Sequence, residues 1–238
     1  MRDQYAGDLS DLLKLALLRA LATDDKTIGV GWYYNSQHDG RYQDGRHREY
    51  CDDPTWKVVD SVLFEALRDL PGRSVKALEE LQIWPSETRF HRAHIQLRNR
   101  QSWALGMKDS LQKASIVFLD PDNGIGCASE RHATVAEVAA MRQPGRALVL
   151  IKFPGHTESH DTQIETYHGL LRDQAGAVSV ITLRTCVCVA VVNKNGLPQR
   201  VPRIRWFTII DADDCLIERA GRFARKLNGI ENCKADIV

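Results

Sequence analysis

The chain has 238 residues, of which 43% are apolar and 26% are charged, a composition typical of a globular protein with enough apolar material for a core. Its formal net charge is only +1, so a polyanion would have to be held by a local basic patch rather than by the charge of the whole molecule. The sequence contains no run of about eighteen apolar residues, so no membrane span is predicted. The segment Met1 to Tyr5 is polar and is unlike a secretory leader. We therefore expect a cytoplasmic protein with no membrane partner.

Apolar periodicity divides the chain into alternating helices and strands. Apolar residues recur at three- and four-residue steps in the segments that we predict as helices, which are 8–22, 53–70, 74–81, 103–111, 134–141, 160–174 and 216–227. Runs of β-branched and apolar residues predict strands at 27–34, 89–95, 115–119, 146–153, 177–183, 186–192 and 203–210. The pair Asn195-Gly196 is typical of a hairpin turn and falls between the last two strands.

The order of these elements predicts the fold class. Strand and helix alternate through most of the chain and a hairpin follows, which predicts an α/β fold with a Rossmann-like, doubly wound, mostly parallel sheet and a C-terminal antiparallel hairpin. The sequence contains no repeat, low-complexity tract or linker. We therefore expect a single domain over residues 1–238.

The most informative stretch runs from Ser115 to Gly124. An apolar, β-rich segment stops abruptly at Asp120, Pro121, Asp122 and Asn123. Ligands of open α/β sheets bind in the crevice outside the carboxyl ends of the strands, so we expect the chemistry here. The alternative is an ordinary turn, because Asp, Asn, Pro and Gly are also the usual turn-forming residues.

Four short motifs together resemble one family, the bacterial enzymes that methylate an exocyclic adenine amine in 23S ribosomal RNA. Gly7 to Lys14 resembles the family's Gly-Asn-x-x-Asp-Val-Leu-Lys, and Asp39 to Tyr42 resembles the end of its first cofactor loop. Ile116 to Pro121 resembles the strand that leads to its Asp-Pro-Pro-Tyr, and Phe153-Pro154 resembles its later Tyr-Pro. The resemblance implies a class I methyltransferase dependent on S-adenosylmethionine, and the predicted topology agrees with that class.

The resemblance also implies which residues carry the function. The cofactor cleft would be formed by Tyr5, Asp8, Lys14, Asn35, His38 and Gly40. Asp120 would accept hydrogen bonds from the methyl acceptor's amine, the carbonyl of Pro121 would orient that amine, and Asp122 with Asn123 would complete a polar rim. The acceptor implied is a nucleic acid or a nucleobase amine.

Two departures from the family affect that interpretation. Asp122 and Asn123 replace the Pro-Tyr pair whose ring stacks on the base, a contact worth about 1–3 kcal/mol. The aromatic candidates to replace that ring are Tyr42, Phe153 and Trp32. The loop from Asn35 has the single Gly40 where methyltransferases are glycine-rich, so a catalytically inactive binding module is one alternative.

A second alternative is a metal-dependent nuclease or phosphoesterase. The oxygens of Asp120 and Asp122 are ligands that suit Mg²⁺. Lys152 lies at the end of the next predicted strand, and His156 is in the loop that follows it. Cys186 and Cys188 share one face of a predicted strand, but no second Cys/His pair accompanies them, so we expect reduced thiols rather than a zinc site.

The last third of the chain is its most basic part. Its cations are Arg200, Arg203, Arg205, Arg219, Arg222, Arg225 and Lys226. They indicate a surface that could contact nucleic-acid phosphates, and an edge hairpin carrying solvated arginines explains them equally well. The sequence does not determine the oligomeric state.

Overall fold

The computed structural model describes residues 1–22, 25–37, 47–155, 157–192 and 195–238. The helices in these ranges are α1 (Leu9–Leu21), α2 (Ser61–Arg68), α3 (Val75–Glu79), α4 (Arg100–Ser110), α5 (Val135–Met141), α6 (His160–Ala175) and α7 (Asp214–Asn228). The strands are β1 (Ile28–Trp32), β2 (Arg89–His91), β3 (Ile116–Asp120), β4 (Ala147–Lys152), β5 (Val180–Val192), β6 (Pro198–Ile210) and β7 (Cys233–Ile237). Short 3-10 turns add to these elements.

The strands form one mixed sheet in the order β2-β1-β3-β4-β6-β5-β7. The neighbours β2, β1, β3 and β4 are parallel, whereas β6 is antiparallel to both β4 and β5, and β7 is antiparallel to β5. Strands β1 to β5 therefore run in one direction, and β6 and β7 run in the other. The fold is Rossmann-like α/β with a C-terminal antiparallel hairpin, which confirms the predicted class.

Helices cover both faces of the sheet. On one face α1, α2, α3 and α7 pack against side chains such as Phe118, Val149 and Phe207. On the other, α4, α5 and α6 pack against Val117, Leu119 and their neighbours. Because successive side chains of a strand point to opposite faces, β3 needs apolar residues throughout, and all five of its residues are buried. Asp120 is two positions after Phe118, so its side chain projects from the same face of the sheet, toward α1.

The structure differs from the predicted elements in three places. The helix predicted over 53–70 is divided, because Asp60 accepts a hydrogen bond from the backbone N–H of Leu63 at 3.0 Å and begins α2 after a 3-10 turn. The strand predicted over 89–95 ends at His91. The segments 177–183 and 186–192 form one continuous strand, because Arg184 and Thr185 pair with β6 on one side and β7 on the other.

The hairpin prediction is confirmed. Strands β5 and β6 are paired from Val180↔Ile210 outward to Val192↔Pro198. Gly196 lies in the connection with a φ of 76°, the left-handed conformation that glycine adopts readily. Within the described ranges, no helix combines the length and the apolar content needed to cross a bilayer.

Candidate active site

A cavity of about 520 Å³ opens at the edge of the sheet where β3 and β4 end. The segment Asp120 to Asn123 forms one wall. A second wall comes from the region of α1, with Tyr5, Asp8 and Lys14. The structure therefore brings together seven of the residues that the sequence predicts for the site, although they belong to two segments more than a hundred positions apart.

The carboxylate of Asp120 is held by Lys14. Both oxygens of Asp120 lie close to Lys14 Nζ, Oδ1 at 3.0 Å and Oδ2 at 3.1 Å. The same ammonium lies 3.1 Å from Asp11 Oδ1. Asp120 is 2% exposed, and Asp11 and Lys14 are buried as well. One cation therefore forms ion pairs with two buried carboxylates beside the cavity.

Burial and charge act in opposite directions on these three groups. Burial raises the pKa of Asp120 and of Asp11, and in each case the neighbouring Lys14 ammonium opposes that rise without cancelling it. Burial by itself would lower the pKa of Lys14, but the carboxylates of Asp120 and Asp11 outweigh it and raise the pKa above its ordinary value of 10.5. Lys14 therefore remains a cation at neutral pH.

The start of α1 fixes Lys14 in place. Asp8 caps the helix by accepting hydrogen bonds from the backbone N–H groups of Ser10, at 2.8 Å, and Asp11, at 3.1 Å. Gly7 has a φ of 77° and donates its N–H to Asp11 Oδ2 at 2.7 Å. Asp8, predicted as a cofactor-binding residue, thus faces the cavity while its carboxylate caps the helix.

The segment after β3 is tied to two other parts of the chain. The amino group of Met1 lies 2.9 Å from Asp122 Oδ1 and donates to the carbonyl oxygen of Tyr33. The N–H of Asn123 donates to the carbonyl of Arg131 at 2.8 Å. Gly124 has a φ of 81°, and a Cβ there would lie 3.1 Å from Lys152. The backbone of this wall is therefore fixed on both sides.

Other predicted residues lie away from the cavity or outside the described ranges. Asn35 is 2% exposed, accepts from the N–H of Gln37 at 2.8 Å and donates to Glu130, and it does not line the cavity. His38 and Gly40 lie outside the described residues, as do Tyr42 and His156. Trp32 is fully buried, whereas Phe153 is 40% exposed and lies on the cavity wall.

The described residues do not assemble a metal site. Among them, no group of three or more His, Cys, Asp or Glu side chains is placed to hold a metal ion. Lys152 Nζ lies over the ring of Tyr167, 4.8 Å from its centroid, rather than on the cavity wall. Cys186 and Cys188 are free thiols on β5.

Several cavity residues were not assigned to the site from the sequence. Among them are Arg203 and Arg205 of β6, together with His160 and Ser10. The sequence placed both arginines only in a general basic region. Their alternation with apolar residues is the pattern of a strand with one solvated face, so no local signal distinguishes Arg205 from an exposed arginine.

Comparison with known proteins leaves the family of this chain undetermined. No protein-family model matches it, and no curated protein matches it. A solved precorrin-6y C5,15-methyltransferase from Geobacter metallireducens GS-15 is similar over 84% of this chain and 87% of that one, with 12% identity and a TM-score of 0.37. A precorrin-8w decarboxylase from Methanobacterium thermoautotrophicum is similar over 85% and 90%, with 10% identity and a TM-score of 0.35. Both TM-scores are low, so neither similarity assigns an activity.

Proposed function

We propose that this chain binds S-adenosylmethionine and transfers its methyl group to an amine, with a nucleobase or a nucleic acid as the acceptor. The observation that carries the proposal is the position of Asp120. Its carboxylate ends a central parallel strand, lies on the wall of a cavity of about 520 Å³ and is followed on that wall by Pro121, Asp122 and Asn123. This is the crevice in which open α/β sheets bind their ligands.

The cavity suits the cofactor in size and in charge. Its volume falls in the range of about 300–1,000 Å³ that small-molecule sites occupy. S-adenosylmethionine carries a carboxylate, an ammonium and a sulfonium. The cavity wall carries charges of both signs, the carboxylates of Asp120 and Asp122 and the guanidinium groups of Arg203 and Arg205. Within the described ranges, Arg203 Nε is a buried donor without a hydrogen-bond partner. Tyr5, Asp8 and Lys14 would form the α1 side of the site, and the cofactor would supply an electrophilic methyl group.

The residues of the chain would orient the acceptor. An amine that donates one N–H to Asp120 and the other to the carbonyl of Pro121 has its lone pair directed away from both, toward the methyl group. The Lys14 ammonium opposes the effect of burial and so favours the charged form of Asp120, which accepts hydrogen bonds strongly. The nitrogen would gain a bond to the methyl carbon as the carbon–sulfur bond of the sulfonium breaks, and it would then have to lose one proton. Both N–H groups become more acidic as charge develops on the nitrogen, and the proton hydrogen-bonded to Asp120 would pass to that carboxylate.

Phe153 supports a base as the acceptor. Its ring is 40% exposed on the cavity wall, and it is the one of the three aromatic candidates that the structure places there among the described residues. An unstacked base gains about 1–3 kcal/mol from stacking on such a ring. The basic C-terminal third would then contact the phosphates of a nucleic-acid acceptor.

Calorimetry and a transfer assay test this proposal. We expect the full chain to bind S-adenosylmethionine and to transfer a labelled methyl group to a single-stranded RNA or a free nucleobase. Asp120→Asn should retain cofactor binding but lower the transfer rate by about 100-fold, as loss of a charged transition-state acceptor does. The matched control is Asp109→Asn, at an exposed position on α4, which should leave the rate unchanged.

The other interpretations give different results in the same experiments. Cofactor binding without transfer to any acceptor would indicate an inactive binding module. Stabilisation by Mg²⁺ or Mn²⁺ alone, lost in Asp122→Ala, would favour the metal-dependent hydrolase. Failure of the full chain to bind S-adenosylmethionine would overturn the methyltransferase proposal.

A further inference from the structure

Two arginines of β6 line the same cavity as Asp120. Arg203 and Arg205 are two positions apart on an extended strand and therefore project from the same face. Both line the cavity. Phe207 is two positions further along the same strand and packs against the helices on the α1 face of the sheet. The side chains of Arg203 and Arg205 therefore project from that same face, as does the carboxylate of Asp120.

Arg205 is a buried cation that is paired with no carboxylate of the described residues. It is 3% exposed. Its Nε donates to Ser10 Oγ at 2.7 Å and its Nη1 donates to the carbonyl of Arg203 at 3.3 Å, and both acceptors are neutral. In the part of the chain that the structure describes, no Asp or Glu oxygen lies within 4.0 Å of its guanidinium. A buried charge left in this state destabilises the fold.

Arg203 is also unsatisfied. Its Nε is buried and has no hydrogen-bond partner, and its guanidinium makes no ion pair with any described residue. Arg100, which is partly buried, and Arg146, which is buried, differ from Arg203 and Arg205 in this respect. Arg100 is paired with Glu137 and with two carbonyls, and Arg146 donates to four carbonyl oxygens.

The carboxylates of the cavity do not compensate these arginines, because each has another partner. Asp120 is bound by Lys14, Asp122 by the amino group of Met1, and Asp8 by two backbone N–H groups of α1. The wall formed by β6 therefore presents two cations and an unused donor to the interior of the cavity. A forked guanidinium matches the planar or tetrahedral oxygens of a carboxylate or phosphate.

We propose that Arg203 and Arg205 form an oxyanion site that binds the phosphate or carboxylate group of the ligand in this cavity. The inference goes beyond the proposed methyl transfer and does not depend on it, because an anionic ligand of any reaction would satisfy the two guanidinium groups. The oxyanion could belong to a cofactor that carries a carboxylate or to an acceptor that carries a phosphate.

Thermal unfolding with inorganic phosphate tests the site itself. We expect phosphate to raise the Tm of the full chain in a saturable manner, and Arg203→Gln and Arg205→Met to abolish that rise. Arg98→Gln is the control, since Arg98 is exposed, does not line the cavity and lies outside the basic C-terminal third. Arg203 is only partly buried, so its variant keeps the test valid should Arg205→Met fail to fold.

Paired ligands then identify the source of the oxyanion. S-adenosylhomocysteine carries a carboxylate that 5′-methylthioadenosine lacks, and AMP carries a phosphate that adenosine lacks. We expect Arg203→Gln to weaken one charged ligand by about tenfold or more, as loss of a charge-assisted hydrogen bond does, and to leave its uncharged counterpart unaffected.

The outcomes of these measurements are separable. A selective loss for S-adenosylhomocysteine supports a carboxylate site, and a selective loss for AMP supports a phosphate site. If Arg203→Gln and Arg205→Met bind phosphate and both charged ligands as the unaltered chain does, or if the unaltered chain binds none of them, the oxyanion site is overturned. Phosphate binding through Arg203 without any binding of S-adenosylmethionine would overturn the methyltransferase proposal alone.

Discussion

At the scale of single residues, Lys14 is the cation that pairs with the buried carboxylates of the candidate site. Its ammonium is the partner of both Asp11 and Asp120, and all three side chains are buried. A salt bridge in such a place adds little net stability, because removing the charges from water is costly. Removing one partner is a different matter, because the charges that remain are left buried and uncompensated.

We therefore expect Lys14→Met to lower the free energy of unfolding by about 3–5 kcal/mol, measured by urea denaturation at pH 7. The loss should become smaller as the pH is lowered, because protonation neutralises the two carboxylates. Lys76→Met is the control, since the Lys76 and Glu80 side chains are both exposed with their charged atoms 3.5 Å apart, and such pairs contribute well under about 1 kcal/mol. Equal effects of the two substitutions would contradict the interpretation that Lys14 compensates the buried carboxylates of Asp11 and Asp120.

At the scale of elements, Arg100 of α4 links the segment that follows the site to the rest of the fold. It forms an ion pair with Glu137 of α5 and donates to the carbonyl oxygens of Ser129 and His132, at 2.5 and 2.6 Å. Glu137 also accepts from the hydroxyl of Tyr33 at 3.0 Å. The network thus joins the residues after β1, two helices and the segment between β3 and α5.

We expect Arg100→Met to destabilise the protein by about 3–5 kcal/mol, because it leaves the carboxylate of Glu137 buried without its cation. Hydrogen exchange should also become faster in residues 125–134, which lose two side-chain donors. Tyr33→Phe removes a single hydroxyl donor to Glu137 and should cost about 1 kcal/mol. Unchanged exchange in that segment of the Arg100 variant would show that other contacts hold it.

At the scale of the whole molecule, buried ionisable groups make stability depend on pH in two opposing ways. Burial lowers the pKa values of His91, His132 and His168 below the ordinary 6.5. The unfolded chain therefore binds protons first as the pH falls below 6.5, and the folded state loses stability. Burial raises the pKa of Asp11 and Asp120 above 3.8, so the folded state binds those protons first and gains stability on acidification.

His168 allows one of these contributions to be isolated. Its Nε2 lies 2.8 Å from the hydroxyl of Thr182 in a buried contact, and a glutamine can make a similar hydrogen bond without titrating. Between pH 7 and pH 5.5 we expect His168→Gln to lose less unfolding free energy than the unaltered chain, measured by urea denaturation at each pH. Parallel profiles for the two proteins would mean that His168 titrates alike in the folded and unfolded states.

Much of the fold could be predicted because its signals are local. The unbroken apolar runs of β3 and β4 predict buried strands, Asn195-Gly196 predicts a hairpin turn, and the structure contains all of these. Strand β7 was not predicted, because Cys233–Ile237 alternates with charged residues and is recognised as a strand only through its pairing with β5. The continuity of β5 likewise depends on having partners on both edges.

The sequence by itself determined the class of fold and the sheet edge at which polar groups accumulate, since periodicity and turn chemistry act over a few residues. Only the tertiary structure decided the electrostatics of that edge. Lys14 and Asp120 are 106 positions apart, and Ser10 and Arg205 are 195 apart. No local pattern therefore indicates that Lys14 and Asp120 form an ion pair, or that Arg205 has no carboxylate partner among the residues that the structure describes. The reason is physical: a charge is stabilised by whichever groups the folded chain brings within a few ångströms of it, and distance along the sequence does not determine that distance.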